Sequence, residues 1–105
     1  MFTLIYITTS CQDESESIGR KLVEERLAAC VNIIPSIKSI YHWMGEIEED
    51  SESVLIVKTA QELTPEIVKR VKELHSYDNP CIISIPITGG SRDYLEWLND
   101  EVKKP

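Results

Sequence analysis

Several things are scarce in this sequence. Cysteine occurs three times, at Cys11, Cys30 and Cys81, far apart and without a CxxC spacing. An odd number of dispersed thiols argues against a disulfide framework and against a zinc-ribbon site, and reads as reduced thiols in a reducing compartment. No run approaches the ~18 apolar residues of a membrane span, so no membrane partner is expected. No basic segment precedes the first apolar run, so no secretory signal is expected, and the expected location is cytoplasmic. Positive charge is short: 11 Lys and Arg stand against 18 Asp and Glu, a formal net charge of −7. Such a field repels phosphate backbones, so no nucleic-acid partner is expected, while metal ions are mildly favoured. GxSxG, HExxH and P-loop motifs are absent, which removes the commonest routes to an enzyme.

What is present fits one domain spanning 1–105. A chain of this length buries roughly two thirds of its unfolded surface. That supports a single core, and a sizeable cleft is expected to need a partner subunit.

Phe2 to Thr9 is rich in β-branched and aromatic residues and predicts a buried strand. A polar segment with Asp13, Ser15 and Ser17 as candidate caps leads into a helix expected to run to Ala29, with Ile18, Leu22 and Ala29 on one face. Cys30 to Trp43 predicts a second strand, with Val31, Ile33, Ile37, Tyr41 and Trp43 on one face and Pro35 marking a bend, a bulge or an edge. Met44-Gly45 is a turn, and Glu46 to Thr59 returns as a third strand whose first half is acidic. Thr64-Pro65-Glu66 reads as a helix start with Thr64 as cap. Cys81 to Ile85, apolar on both faces, predicts a central strand closed by Pro86. Ser91 caps a last helix carrying Tyr94, Leu95, Leu98 and Val102. The order is that of an α+β, ferredoxin-like βαββαβ sandwich with a long hairpin of the second and third strands and an extra C-terminal helix. The overlong hairpin and the apolar second faces point to self-association.

Chemistry is less legible. Cys11, Cys30, Cys81, His42, His75 and the acids of 46–52 are candidate metal ligands by type. None has a recognised local spacing, so a metal site must be assembled across strands or subunits. A cysteine at the start of an apolar strand is more often a small buried hydrophobe, and the acidic run reads first as a solvated arm. Gly89-Gly90-Ser91 before a helix is a weak anion-site signal. The loop after the first strand, Thr8 to Gln12, lacks the arginine that an acylphosphatase needs, and Cys11 has no identifiable partner base.

Five segments, in order along nearly the whole chain, carry a family resemblance. Glu25 to Asn32, Ser39 to Ile47, Lys58-Thr59, Leu74 to Pro80 and Tyr94 to Leu98 resemble the motifs of CutA divalent-cation tolerance proteins. The resemblance implies a homotrimer similar in architecture to PII signalling proteins, with the long hairpins extending into neighbouring subunits. It implies a non-enzymatic protein of metal-ion tolerance, and a divalent metal ion, copper first, that is bound without being required for folding. Cys30, Trp43, Lys58, His75 and Tyr77 fall on positions that the family retains. Some bacterial members use a cysteine at the end of the first strand and a glutamate after the Y-x-x-P proline; here these places hold Ile7 and Cys81, and only His75 of the histidine segment is a histidine. Cys30, His75 and Cys81 are therefore the expected metal-site residues. The alternative is a PII-like signalling protein that binds a small ligand or nucleotide between subunits, with Tyr41, Trp43, Lys58, Tyr77, Tyr94 and Trp97 lining the cleft.

Overall fold

Alternation along Phe2–Thr9, strand β1, sorts its side chains by face. Thr3, Ile5, Ile7 and Thr9 are buried, and Phe2, Leu4 and Tyr6 between them are only partly so. In the computed structural model, which describes residues 1–104, β1 is followed by helix α1 (Gln12–Glu24), strands β2 (Cys30–Trp43) and β3 (Glu46–Ala60), a 3-10 turn (Gln61–Leu63), helix α2 (Thr64–Leu74), strand β4 (Ile82–Ile87) and helix α3 (Arg92–Glu101). The strands form one sheet in the order β2-β3-β1-β4, with every neighbouring pair antiparallel. This is the expected α+β, ferredoxin-like arrangement.

The core lies between one sheet face and the helices. Ile5, Ile7, Leu55 and Val57 from the sheet meet Ile18 and Leu22 of α1 and Ile67 and Val71 of α2, all essentially inaccessible. α1 sits close on the sheet at Gly19, where a Cβ would come within 3.0 Å of both Leu55 Cδ1 and Val31 Cγ2. α3 leaves the open face and returns its end to this core through Val102, where Lys103 N donates to Arg26 O.

Four local expectations need correction. α1 ends at Glu24, well before Ala29, and starts at Gln12 behind Cys11. Arg26 takes a left-handed conformation, φ 57. Arg26 N then donates to Val23 O and Leu27 N to Leu22 O, the paired bonds of a Schellman stop. Thr64 is the first residue of α2 and not its cap; Leu63 holds the cap position, and Thr64 Oγ1 is buried without a partner.

The third correction concerns β2. Ile34 is in register with Val54, but Ile37 with Glu52, so β2 carries one extra residue at Pro35-Ser36. A bulge of this kind exchanges faces. Val31 and Ile33 therefore pack on the helix-side core, while Ile37, Ser39, Tyr41 and Trp43 join Glu52, Asp50, Glu48 and Glu46 on the other face. The fourth correction is β4, which is an edge strand that runs through Pro86 to Ile87. An edge tolerates the missing proline N–H. The apolar second face of β4 reflects an open sheet face, not a central position.

Beyond the bulge the hairpin leaves the body as an arm, giving the molecule extents of 45 × 25 × 22 Å. Met44 (φ 50) and Gly45 (φ 80) close it as a two-residue type I′ turn between Trp43 and Glu46.

Candidate functional site

The bulge builds the first half of the candidate site. By exchanging faces it sets Tyr41 and Trp43, two residues apart on the arm, on the same side as Glu52 and Asp50. The loop from α2 to β4 supplies the other half. Tyr77 reaches across and its hydroxyl donates to Glu52 Oε2 at 2.8 Å, while the Tyr41 hydroxyl donates to Asp50 Oδ2. Between arm and loop lies a cleft of about 550 Å³, walled by Tyr41, Trp43 and Tyr77 and completed by Glu52, Asp78 and Cys81.

His75 holds the loop in place. Its Nε2 lies 2.8 Å from the Thr8 carbonyl oxygen, and its Nδ1 accepts from Tyr77 N at 3.0 Å. A carbonyl can only accept, so the ring is the neutral tautomer with its proton on Nε2. The imidazole also packs against the Tyr77 ring, centroid to centroid 4.7 Å. Both nitrogens are thus committed to backbone groups. Beneath the ring, Glu14 of α1 accepts from the backbone N–H and the hydroxyl of both Ser10 and Ser76. Burial works to raise the Glu14 pKa, but these four hydrogen bonds outweigh it and hold the carboxyl below its ordinary value.

The acidity of the cleft shows in its other groups. Burial first, then the bond to Glu52, pushes the Tyr77 phenol well above the usual tyrosine range. The bond to Asp50 leads the causes that push Tyr41 up to about 12, with Glu52 and Glu48 adding to it. Burial pushes the Cys81 thiol up as well, partly offset by hydrogen bonding with Thr8.

The second group of expected residues lies elsewhere. Lys58 stands beside Tyr94 of α3, with Nζ 3.4 Å from the hydroxyl and 5.5 Å from the ring centroid. Tyr94 in turn packs against Trp97 at 5.4 Å between centroids. Cys30 is in register with Lys58. Lys58 lies six positions along β3 from Glu52, about 20 Å of strand. The six residues expected to line one cleft therefore divide: Tyr41, Trp43 and Tyr77 in an acidic cleft, Lys58, Tyr94 and Trp97 around a cation.

The three expected metal-site residues divide too. Cys81 lines the acidic cleft and His75 supports it from below. Cys30 begins β2 at one edge of the sheet and Cys81 precedes β4 at the other, about 14 Å apart in sheet width alone. Among the described residues no group of three or more His, Cys, Asp or Glu side chains is placed to hold a metal ion. The Gly89-Gly90-Ser91 turn serves as a cap, with Ser91 Oγ accepting from Tyr94 N at 3.4 Å. In the sequence Glu52 and Asp50 are candidate metal ligands by type within an acidic run that reads first as a solvated arm, and Asp78 is not singled out. The alternation of β3 was a signal for the first two, since it places them on the face of Val54 and Ile56; nothing local announced Asp78.

The sequence model of the CutA1 divalent ion tolerance protein matches residues 3–101. The chain is 47% identical over 100 residues to the divalent-cation tolerance protein CutA of Thermus thermophilus, covering 95% of this chain and 97% of that one. It is 43% identical over 100 residues to the chloroplastic protein CutA of Arabidopsis thaliana, covering 95% of this chain and 55% of that longer one. The solved structure of the periplasmic divalent cation tolerance protein CutA from Archaeoglobus fulgidus is similar at a TM-score of 0.95 and 45% identity, covering 98% of this chain and all of that one (100%).

Proposed function

The chain belongs to the CutA1 divalent ion tolerance family, and on that premise we propose that it is a non-enzymatic, cytoplasmic homotrimer that binds divalent metal ions, copper first, in metal tolerance. One observation carries the assembly. The sheet face away from α1 and α2 is apolar and open, with Ile34, Ile83 and Ile85 exposed at 42, 53 and 47% beside the partly exposed Leu4, Tyr6 and Ile56. The arm adds the exposed Ile40 and Ile47. A contiguous apolar surface of this kind, bordered by the unpaired edges of β2 and β4, calls for a partner. Other copies of the same chain, with arms laid along neighbouring sheets, meet that need. No helix among the described residues is long and apolar enough to cross a membrane, and three free thiols suit a reducing compartment.

The metal is cargo in this reading. Cys30, His75 and Cys81 do not converge within one chain, and both nitrogens of His75 are engaged. Donors from adjacent copies must therefore complete a site. Cys81 and Glu52 supply a soft and a hard donor at the same cleft, and Cys30 supplies a separate thiol. Sedimentation equilibrium of the purified protein tests the assembly, and calorimetric titration with Cu(II) and Zn(II) tests the binding. The expected result is a mass of three chains and saturable, stoichiometric uptake that Cys81→Ser or Cys30→Ser weakens. A monomer at micromolar concentration, or no saturable uptake, overturns it.

A second reading rests on the cation among aromatics. Lys58 with Tyr94 and Trp97 suits an anionic, planar ligand, as a PII-like signalling protein would hold a nucleotide between subunits. Nucleotide binding abolished by Lys58→Ala, with no metal uptake, favours it.

A further inference from the structure

The cleft between arm and loop, where Cys81 and Glu52 are proposed donors to a metal ion, also has aromatic walls that a bare metal ion does not use. Three of its walls are aromatic, Tyr41, Trp43 and Tyr77, and no residue lining it is basic. Its two charged members are the carboxylates of Glu52 and Asp78. Aromatic faces are electron-rich and attract cations, most strongly when the site is partly desolvated. About 550 Å³ is room for a small organic molecule.

The hydrogen bonds sharpen the choice of ligand. Tyr77 engages Glu52 through Oε2 only, and among the described residues Oε1 accepts no hydrogen bond from the protein. One oxygen of a fixed carboxylate is thus left for a donor. Asp50 is tied to the Tyr41 hydroxyl, which orients that ring on the arm. A hard cation needs several oxygens converging on one point. This cleft offers a single anchored oxygen and apolar rings, which suits an N–H donor on an apolar body.

We propose that the cleft of Tyr41, Trp43, Glu52 and Tyr77 binds a small organic cation, an ammonium or guanidinium group carried on an apolar body. The charged nitrogen bonds Glu52, Asp78 adds to the negative potential, and the apolar body lies against Trp43 and Tyr41. Glu52 is also one of the donors proposed above for a metal ion, so the two ligands compete for it, and the organic cation is measured with metal removed.

The test uses the full chain carrying Trp97→Phe, so that Trp43 is the only indole. With a chelator present, it is titrated with benzylammonium chloride and, separately, with the uncharged isostere benzyl alcohol, following Trp43 fluorescence. The expected result is a saturable change with benzylammonium and binding of the alcohol at least about tenfold weaker, the worth of one charge-assisted hydrogen bond. Glu52→Gln, checked for folding by circular dichroism, should remove most of that preference. Tyr41→Leu, on the exposed arm and away from the Tyr77–Glu52 bond, should weaken the cation severalfold and serves if Glu52→Gln does not fold. Equal response to amine and alcohol, a preference that survives the variants, or no saturation into the tens of millimolar overturns the proposal. Since the chelator removes metal from every arm, failure here leaves the metal reading standing, and failure of the metal titration leaves this one standing.

Discussion

Tyr77 and Glu52 meet across the cleft, phenol hydroxyl to carboxylate Oε2 at 2.8 Å, and so join the loop before β4 to the base of the arm. The bond keeps the phenol protonated: burial first and the carboxylate second raise its pKa. A group that holds its proton more tightly folded than unfolded stabilises fully below its unfolded pKa, about 10 for tyrosine. That contribution is lost as pH rises from there through the folded value. Tyr77→Phe should cost about 1.5–3 kcal/mol at neutral pH, the loss of a hydrogen bond to a charged group. It should also flatten the decline in stability above pH ~10. Denaturant melts between neutral and alkaline pH check both. An unchanged alkaline slope would show that the phenol does not hold its proton through this contact.

Glu14 acts with the opposite sign. Its carboxyl titrates below the ordinary value of 4.5, because the bonds from Ser10 and Ser76 overcome the effect of burial. Its contribution is therefore present above the unfolded pKa and is lost as pH falls through the folded one. Glu14→Ala should lower stability at neutral pH by about 2 kcal/mol, since four donors lose a charged acceptor. The gap between wild type and variant should close in acid, below pH ~4. Urea midpoints at pH 7 and in acid decide it; a gap that persists in acid would assign the effect to packing instead.

Ser53 shows why the bulge stays where it is. Its hydroxyl donates to the Ile34 carbonyl at 2.9 Å and accepts from Ser15 Oγ at 2.9 Å, and Ser15 in turn meets Thr9 Oγ1 at 2.7 Å. This buried chain of hydroxyls ties α1, β1 and β3 to the last regular residue of β2 before the extra one. Ser53→Ala leaves the Ile34 carbonyl and the Ser15 hydroxyl without that partner, at a cost of about 1–3 kcal/mol. Because the bulge sets which face Tyr41 presents, the variant should also bring the Tyr41 phenol down from about 12. A spectrophotometric titration of Ser53→Ala and Tyr41→Phe together with wild type reads this directly; an unmoved Tyr41 would show that the bulge holds without Ser53.

The sequence carried the strand boundaries of the hairpin, the turn at Met44-Gly45 and the cap at Ser91, because each is written in local alternation or a local breaker. It did not carry the end of α1. Arg26 occupies the left-handed position where glycine is the usual signal, and Ala28-Ala29 beyond it look helical by propensity. Nor did it place β4, since an apolar second face looks the same whether it belongs to a central strand or to an open sheet. Pro35 announced an irregularity at the bulge without fixing its consequence. One inserted residue turned Tyr41 and Trp43 away from the side of Val31 and toward Glu52. The aromatic candidates were therefore the right residues in two places, and the split between Tyr77 and Lys58 required the register of β3 to be seen.

Met44 leaves a measurable strain at the tip of the arm. The type I′ turn demands a positive φ at both central residues, and Met44 supplies the first at φ 50 with no compensating burial, being 88% exposed. A left-handed conformation costs an ordinary L-residue about 1–2 kcal/mol, and asparagine tolerates it best after glycine. Met44→Asn produces the preferred Asn-Gly pair and gives up no core contact. It should raise stability by roughly 0.5–1 kcal/mol, which for a domain of this size moves the thermal midpoint by about 2–6 °C. Calorimetric scans of wild type and variant at one protein concentration measure the shift. A lowered midpoint would mean that the Met44 side chain is covered in the assembled protein, which would place the arm tip in a subunit contact.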